Sequence, residues 1–175
     1  NTPTYHVMVA RYLPTLAAIF GHAGSSSASF YAGLQAGAER FAVHCVAPDG
    51  RYPPVSDTQR RAIDTELNLR TFGSGEFEFA ATRGERGRMP GERTASFPAS
   101  GYAMTRSAWG DANASFVHFV SAYNADYNKH SDELSVFLRS AGRDLLCEAG
   151  AYGYNWQDPY TKYAYSSAAH NTMLV

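Results

Sequence analysis

The hydrophobic period of this chain changes near Gly101, and that change limits what it can fold into. Before it, apolar residues recur at three- and four-residue spacing, the period of one helix face. After it they alternate, as on a half-buried strand. An α+β chain is the expectation, with helices first and an antiparallel sheet second.

Val9, Tyr12, Leu13, Leu16, Ile19 and Phe20 form the first helical stripe, and Pro14 within it predicts a kink or a restart. Gly21 to Ser27 reads as a turn whose serines offer an N-cap. Phe30, Leu34, Ala38, Phe41 and Cys45 form the next stripe, ended by Pro48-Asp49-Gly50. This predicts an antiparallel helical hairpin over residues 5–47. Two helices alone make a poor core, so the hairpin is expected to pack on further helices. Residues 51–75 read as irregular, with a short helix near Arg60 to Leu69. Residues 83–101, rich in Gly, Arg and Pro, read as a loop between domains. Its Arg83, Arg86, Arg88 and Arg93 read first as a solvated face and second as a contact for an anionic chain.

Beyond Gly101, strands are expected at Tyr102–Arg106, Ser115–Ala122, Leu134–Arg139, Asp144–Glu148 and Asn171–Val175, with Ala141-Gly142 as a hairpin turn. No helix is expected past Gly101 and no strand before residue 70. The domain reading is 1–50 helical, 51–100 connecting, 101–175 sheet. The last strand stops at Val175, so the sheet is expected to be cut short. The chain opens on Asn1 rather than Met, so the lack of a signal peptide carries no message about export.

A formal net charge of −1 provides no field for nucleic acid, and no apolar run reaches membrane-spanning length. The oligomeric state is not legible. Cys45 and Cys147 read as free, buried thiols. The chain has 12 Tyr and 10 Phe, which suits strands and also clefts where rings stack on sugars.

Several stretches carry a family resemblance. NKHSDELSVFLRSAGRDLLCEAGAYGYN and YAYSSAAHNTMLV resemble, in order, two landmarks of the heparinase II/III-like polysaccharide lyases. The first is His-x-His-x-Asp followed by Asp-x-Gly-x-Tyr-x-Tyr; the second is Ala-His-Asn-Thr. GYAMTRSAW resembles the family's first sandwich strand, and DGRYPPVSDT its exit from the last toroid helices. NTPTYH resembles the segment that carries a catalytic tyrosine. Two positions depart from the pattern: Asn128 stands where the first His is usual, and Glu148 where the Asp is usual.

The resemblance implies the end of an incomplete (α/α) toroid followed by an antiparallel β-sandwich, with the active site between them. It implies β-elimination on a uronate-containing acidic polysaccharide, in a periplasmic or secreted enzyme. That chemistry needs a neutralised carboxylate, a base for the C5 proton and an acid for the leaving O4. Positioned acid and base groups typically contribute about 10²–10⁴-fold. Tyr5 is the candidate acid or base, against the plainer reading of a helix-start aromatic packed on the next helix. His6 beside it points elsewhere. Asn128 can donate a hydrogen bond to the substrate carboxylate but cannot carry a proton, and Asn also favours turns. Tyr165 is a second tyrosine candidate, with core packing as its plain reading. Tyr152 and Tyr154, alternating with glycines, suit a cleft rim.

His130, Glu148 and His170 form a candidate metal site. The interval from His130 to Glu148 suits neighbouring strands, and His170 is expected to start another. Family members of this pattern carry a structural zinc, and two imidazoles with a carboxylate are a standard zinc set. A metal-free His–carboxylate–His hydrogen-bonded cluster is the alternative. Asp132 reads as orienting His130 or capping the next strand. His118 reads as core or cleft wall, and His22 and His44 carry no signal. Two other functions stay open. One is a non-catalytic carbohydrate-binding or structural module, motivated by Asn128; the other is a metal-dependent glycan hydrolase.

Overall fold

The computed structural model describes residues 2–63, 66, 71–123 and 129–173. Three helices open the chain: α1 (Pro3–Ala10), α2 (Leu13–His22) and α3 (Ser27–Cys45). Thr2 is the N-cap of α1, its hydroxyl accepting the Tyr5 amide at 3.3 Å, and Pro3 supplies a preset φ in the first turn. Pro14 stands in the first turn of α2, so the stripe breaks just ahead of it and restarts. Ser26 is the N-cap position of α3, and the Ser27 amide that opens the helix donates to the Ser25 hydroxyl at 3.2 Å. The expected hairpin is therefore three helices, starting at Pro3. α2 buries none of its side chains. Only the second half of α3 is covered, through Ala38, Phe41, Ala42, Val43, His44 and Cys45.

A short helix, α4 (Glu76–Ala81), precedes one five-stranded antiparallel sheet in simple sequential order. Its strands are β1 (Thr94–Phe97), β2 (Tyr102–Arg106), β3 (Phe116–Val120), β4 (Ser135–Ser140) and β5 (Arg143–Leu146). The alternation holds. Met104, His118 and Phe137 pair across β2, β3 and β4 and are buried together. Ala141 and Gly142 turn β4 into β5 with φ of 48° and 74°, the left-handed pair of a tight hairpin.

The core lies between α3 and the inner face of the sheet. Phe41 meets Phe97 and Tyr102 edge-on, each with ring centroids 5.2 Å apart. α1 docks on α3 through His6, whose Nε2 bonds the Ala38 carbonyl at 2.8 Å. Arg106, buried at the end of β2, donates to the carbonyls of His44 and Val46, both at 2.8 Å. It thus satisfies acceptors that the C-terminus of α3 leaves open, and its guanidinium lies 3.6 Å from the Trp109 ring centre. Arg60 joins three segments, donating to Asp49 at 2.8 Å, to both Asp144 oxygens at 3.0 and 3.1 Å and to the Tyr52 carbonyl at 3.1 Å.

Several expectations are corrected. β1 and a 3-10 turn at Pro98–Ser100 lie inside the stretch read as loop, so the sheet starts before Gly101. A helix, α5 (Pro159–Tyr165), follows residue 101; Asp158 caps it by accepting the Tyr160 amide at 2.8 Å, and Pro159 leads it. The expected last strand is absent from Asn171 to Met173; a 3-10 turn, Ser167–Ala169, precedes those residues, and residues 174–175 lie outside the described residues. Half of the expected helix near 60–69 also lies outside them. Both cysteines are free, but Cys147 is exposed because it follows β5, whose residues all face solvent.

Candidate active site

The site forms where the connecting segment 52–63 passes between α1 and the loop after β5. That segment makes a tight turn, with the Thr58 amide on the Val55 carbonyl at 3.0 Å and Ser56 at φ 46°. The Ser56 hydroxyl donates to the Asp132 carboxylate. This pins the turn to the His130-x-Asp132 motif and leaves Asp57 only 7% exposed. From the other side, Gly150 (φ 68°) lies against the same turn. A Cβ there would stand 2.8 Å from the Thr58 carbonyl oxygen and 3.0 Å from Pro54 Cβ. Only glycine allows the loop this close.

A cleft of about 370 Å³ opens over this junction. Tyr5, Arg11, Asp57, Arg61, Tyr152 and Tyr154 are among its lining residues. Tyr5 sits in the first turn of α1, placed by the Thr2 cap. Its hydroxyl lies 3.1 Å from that of Tyr154, which donates to Asp57 Oδ2 at 2.7 Å. The hydrogen bonds to Tyr5 and then to Asp57 push the Tyr154 hydroxyl well above the ordinary phenol range.

Behind Asp57 lies a buried cluster. Asp57 Oδ1 stands 3.9 Å from His130 Nε2. The His130 ring lies 4.0 Å from that of Tyr165 and 5.5 Å from that of His170. Burial lowers the His130 imidazole below its ordinary value, against the Asp132 and Asp57 carboxylates and the Ala164 carbonyl. Glu148 accepts from the Ser135 hydroxyl, from His170 Nδ1 and from the Asn171 amide and side chain at 3.0 and 3.1 Å. Burial alone would raise its carboxyl, but these bonds, led by His170, hold it below the usual range.

The sequence candidates thus separate. Tyr5, Tyr152 and Tyr154 line the cleft. Tyr165 is turned inward, 7% exposed, between His130 and Trp156, and is not among the lining residues. Asn128 lies outside the described residues. Asp132 accepts from Ser56 and Lys129. Arg83, Arg86 and Arg88 pair with Glu85, Glu78 and Glu76, and Arg93 donates to the Ser107 carbonyl at 2.7 Å. Among the described residues the arginines at the cleft are instead Arg11 and Arg61. Sequence reasoning passed over these two and Asp57. The one local signal for Asp57 was a polar Ser-Asp-Thr run directly after Pro53-Pro54-Val55.

His130, Glu148 and His170 are brought together, but His170 Nδ1 is spent on Glu148 and the carboxylate on its three partners. Among the described residues no three His, Cys, Asp or Glu groups converge in metal-binding geometry. Both ring nitrogens of His130, Nε2 of His170 and Oδ1 of Asp57 are buried without a formed hydrogen bond, a donor set whose chemistry fits a divalent cation.

A family model for the heparinase II/III-like C-terminal region matches residues 89–175. No curated protein matches the sequence. A heparan sulfate lyase HepC mutant from Pedobacter heparinus shares the fold with a TM-score of 0.80 at 18% identity, over 98% of this chain and 28% of that one. A heparinase III, the BT4657 gene product, gives a TM-score of 0.77 at 18% identity over 98% and 28%. Another heparinase III gives 0.75 at 16% identity over 97% and 30%. The chain therefore spans 28–30% of the length of these structures. By that match residues 89–175 belong to the heparinase II/III-like family, and the shared fold runs along nearly all of the chain.

Proposed function

We propose that this chain contributes the active-site junction of a polysaccharide lyase that cleaves a uronate-containing acidic polysaccharide by β-elimination. The observation that carries the reading is Tyr5, whose hydroxyl faces a cleft also lined by Arg11 and Arg61, between the helical and sheet parts. Two guanidiniums suit an anionic sugar chain, since Arg pairs well with carboxylate and sulfate oxygens. Tyr5 exchanges the proton with the sugar. Asn128 is assigned to the substrate carboxylate, where its amide donates without carrying a proton. Tyr165 packs against His130 and acts through that ring's position.

We assign residues 1–50 to the end of a toroid, and the sheet that opens with β1 at Thr94 to the start of a sandwich, with the residues between as the connection. A zinc ion would be held by His130 and His170, with Glu148 as third ligand or as the partner that orients His170. When bound it supplies positive charge that locks these segments, and the proton chemistry stays with the tyrosines. A periplasmic or secreted location accompanies this substrate class, and no helix among the described residues is long and apolar enough to cross a membrane.

The test is ultraviolet absorbance of the unsaturated uronate product, with the full-length protein on heparan sulfate, chondroitin sulfate and alginate. Tyr5→Phe is expected to remove activity and leave the melting temperature within about 2 °C, since one exposed hydroxyl is lost. A saturated product would favour a hydrolase. Binding without product would favour a non-catalytic module.

A further inference from the structure

We propose that the exposed side of α5 is a sugar-binding platform, on which Tyr160 and Tyr163 stack against pyranose units of the acidic polysaccharide lying beyond those held in the cleft. The ligand follows from the lyase reading above; the site itself lies outside the candidate catalytic and metal residues.

The helix has two distinct sides. Thr161, Ala164 and Tyr165 are buried. Tyr160, Lys162 and Tyr163 are exposed, the two tyrosines at 66% and 55%. Tyr160 and Tyr163 are three positions apart, so they are neighbours on the helix surface. Their rise along the axis is about 4.5 Å, close to the length of one pyranose unit. Two large rings left in water side by side mark a binding surface more than a packing one.

The platform is continuous with the cleft. Tyr152 lines the cleft, and its ring centre lies 5.7 Å from that of Tyr160, with the planes tilted by 49°. The inner side of α5 meets the same loop. A Cβ on Gly153, another lining residue, would stand 3.7 Å from Thr161 Oγ1. The helix is further held by Tyr165, whose ring packs on His130 at 4.0 Å. A chain leaving the cleft over Tyr152 therefore meets Tyr160 next, with Tyr163 one turn further along the helix. The cleft alone, at about 370 Å³, takes only a few sugar units.

The chemistry of the surface selects the occupant. A tyrosine offers an apolar ring face and a polar tip, which match the C–H face and hydroxyl rim of a pyranose. The exposed side of α5 carries one cation, Lys162, and no carboxylate. The Asp158 carboxylate at its start accepts the Tyr160 amide at 2.8 Å. This balance suits an acidic chain and continues the sign set by Arg11 and Arg61 in the cleft.

The experiment measures Kd by calorimetry for tetrasaccharide and dodecasaccharide fractions of heparan sulfate, chondroitin sulfate and alginate. It uses the full-length protein carrying Tyr5→Phe, so that bound chains are not cut, alone and with Tyr160→Ala, Tyr160→Phe or Tyr163→Ala. The dodecasaccharide is expected to bind more tightly than the tetrasaccharide. Each Ala variant is expected to lower that preference roughly threefold to tenfold, the scale of one aromatic contact. Tyr160→Phe keeps the ring and is expected to keep the preference, which a general loosening of the loop would not allow. Tyr163→Ala gives the second reading if loss of Tyr160 shifts Tyr152. Where a sample still releases unsaturated product, the same preference is read from kcat/KM. A preference unchanged in both Ala variants, or lost in Tyr160→Phe, overturns the platform. Equal binding of the two lengths, or no binding of any polymer, overturns it as well; unsaturated product from the wild type then leaves the lyase reading standing. A preference that falls in the Ala variants while the wild type forms no such product supports the platform and overturns the lyase reading.

Discussion

Gly150→Ala tests how the cleft is held together. The residue has φ 68°, where an L side chain costs about 1–2 kcal/mol. The added methyl would stand 2.8 Å from the Thr58 carbonyl oxygen and 3.0 Å from Pro54 Cβ. Neither neighbour is the free end of a flexible side chain, so the loop must move. Forcing an extra methyl into a filled space typically costs about 1–3 kcal/mol. The two add to about 2–5 kcal/mol. Urea unfolding of the full-length protein, followed by tryptophan fluorescence, measures this, since Trp156 lies in the same loop region. Gly91→Ala is the control; it meets nothing within 4 Å and has no positive φ, so it should stay within about 0.5 kcal/mol. The displaced loop should also draw Tyr154 off Asp57. A Gly150→Ala protein as stable as the control would refute the claim that this close approach fixes the cleft.

Other predictions concern the buried histidines. Metal analysis of the full-length protein should find zinc, and His170→Ala should lower metal content and melting temperature together; wild type without metal and with chelator-insensitive melting would make the cluster a hydrogen-bond network. Burial lowers His118 from 6.5 to about 4, so the neutral imidazole is favoured in the fold. Between those values the unfolded chain binds a proton that the folded chain does not, so this contribution is complete above pH 6.5 and is lost as pH falls toward 4. The loss amounts to roughly 3 kcal/mol at 1.36 kcal/mol per pH unit. His118→Leu should flatten that part of the stability–pH curve measured by urea unfolding, and an unchanged slope would count against the assignment.

What the sequence disclosed follows from how local each signal is. Pro14 and the Ala141-Gly142 turn act through their own backbone, so the helix break and the hairpin were readable. The strands β2 to β4 each bury alternate residues on one face, so their period was plain. β1 was not, because four residues between Gly91 and Pro98 are too few to show a period. The helix at Pro159 carried a local signal in Asp158-Pro159, a cap residue and a first-turn proline, but seven residues are too few to show a helical stripe. Asn171–Met173 had the apolar flavour of a strand, but Asn171 is instead engaged with Glu148 and the Cys147 carbonyl. Tyr5 was singled out through a short motif. Asp57 could not be, since its burial depends on Ser56 meeting Asp132 and on Gly150 closing in from far along the chain.

The guanidinium of Arg106 has a further consequence, one that concerns time. It donates to carbonyls 62 and 60 positions earlier in the chain. During synthesis, helix α3 leaves the ribosome with those acceptors open and stays so until β2 has followed. At about 5–20 residues per second that interval lasts several seconds, long against helix formation in microseconds. The helix end and the first central strand therefore mature together. A substitution that delays β2 should lengthen the period in which nascent chains are captured by chaperones, even where the finished protein is equally stable.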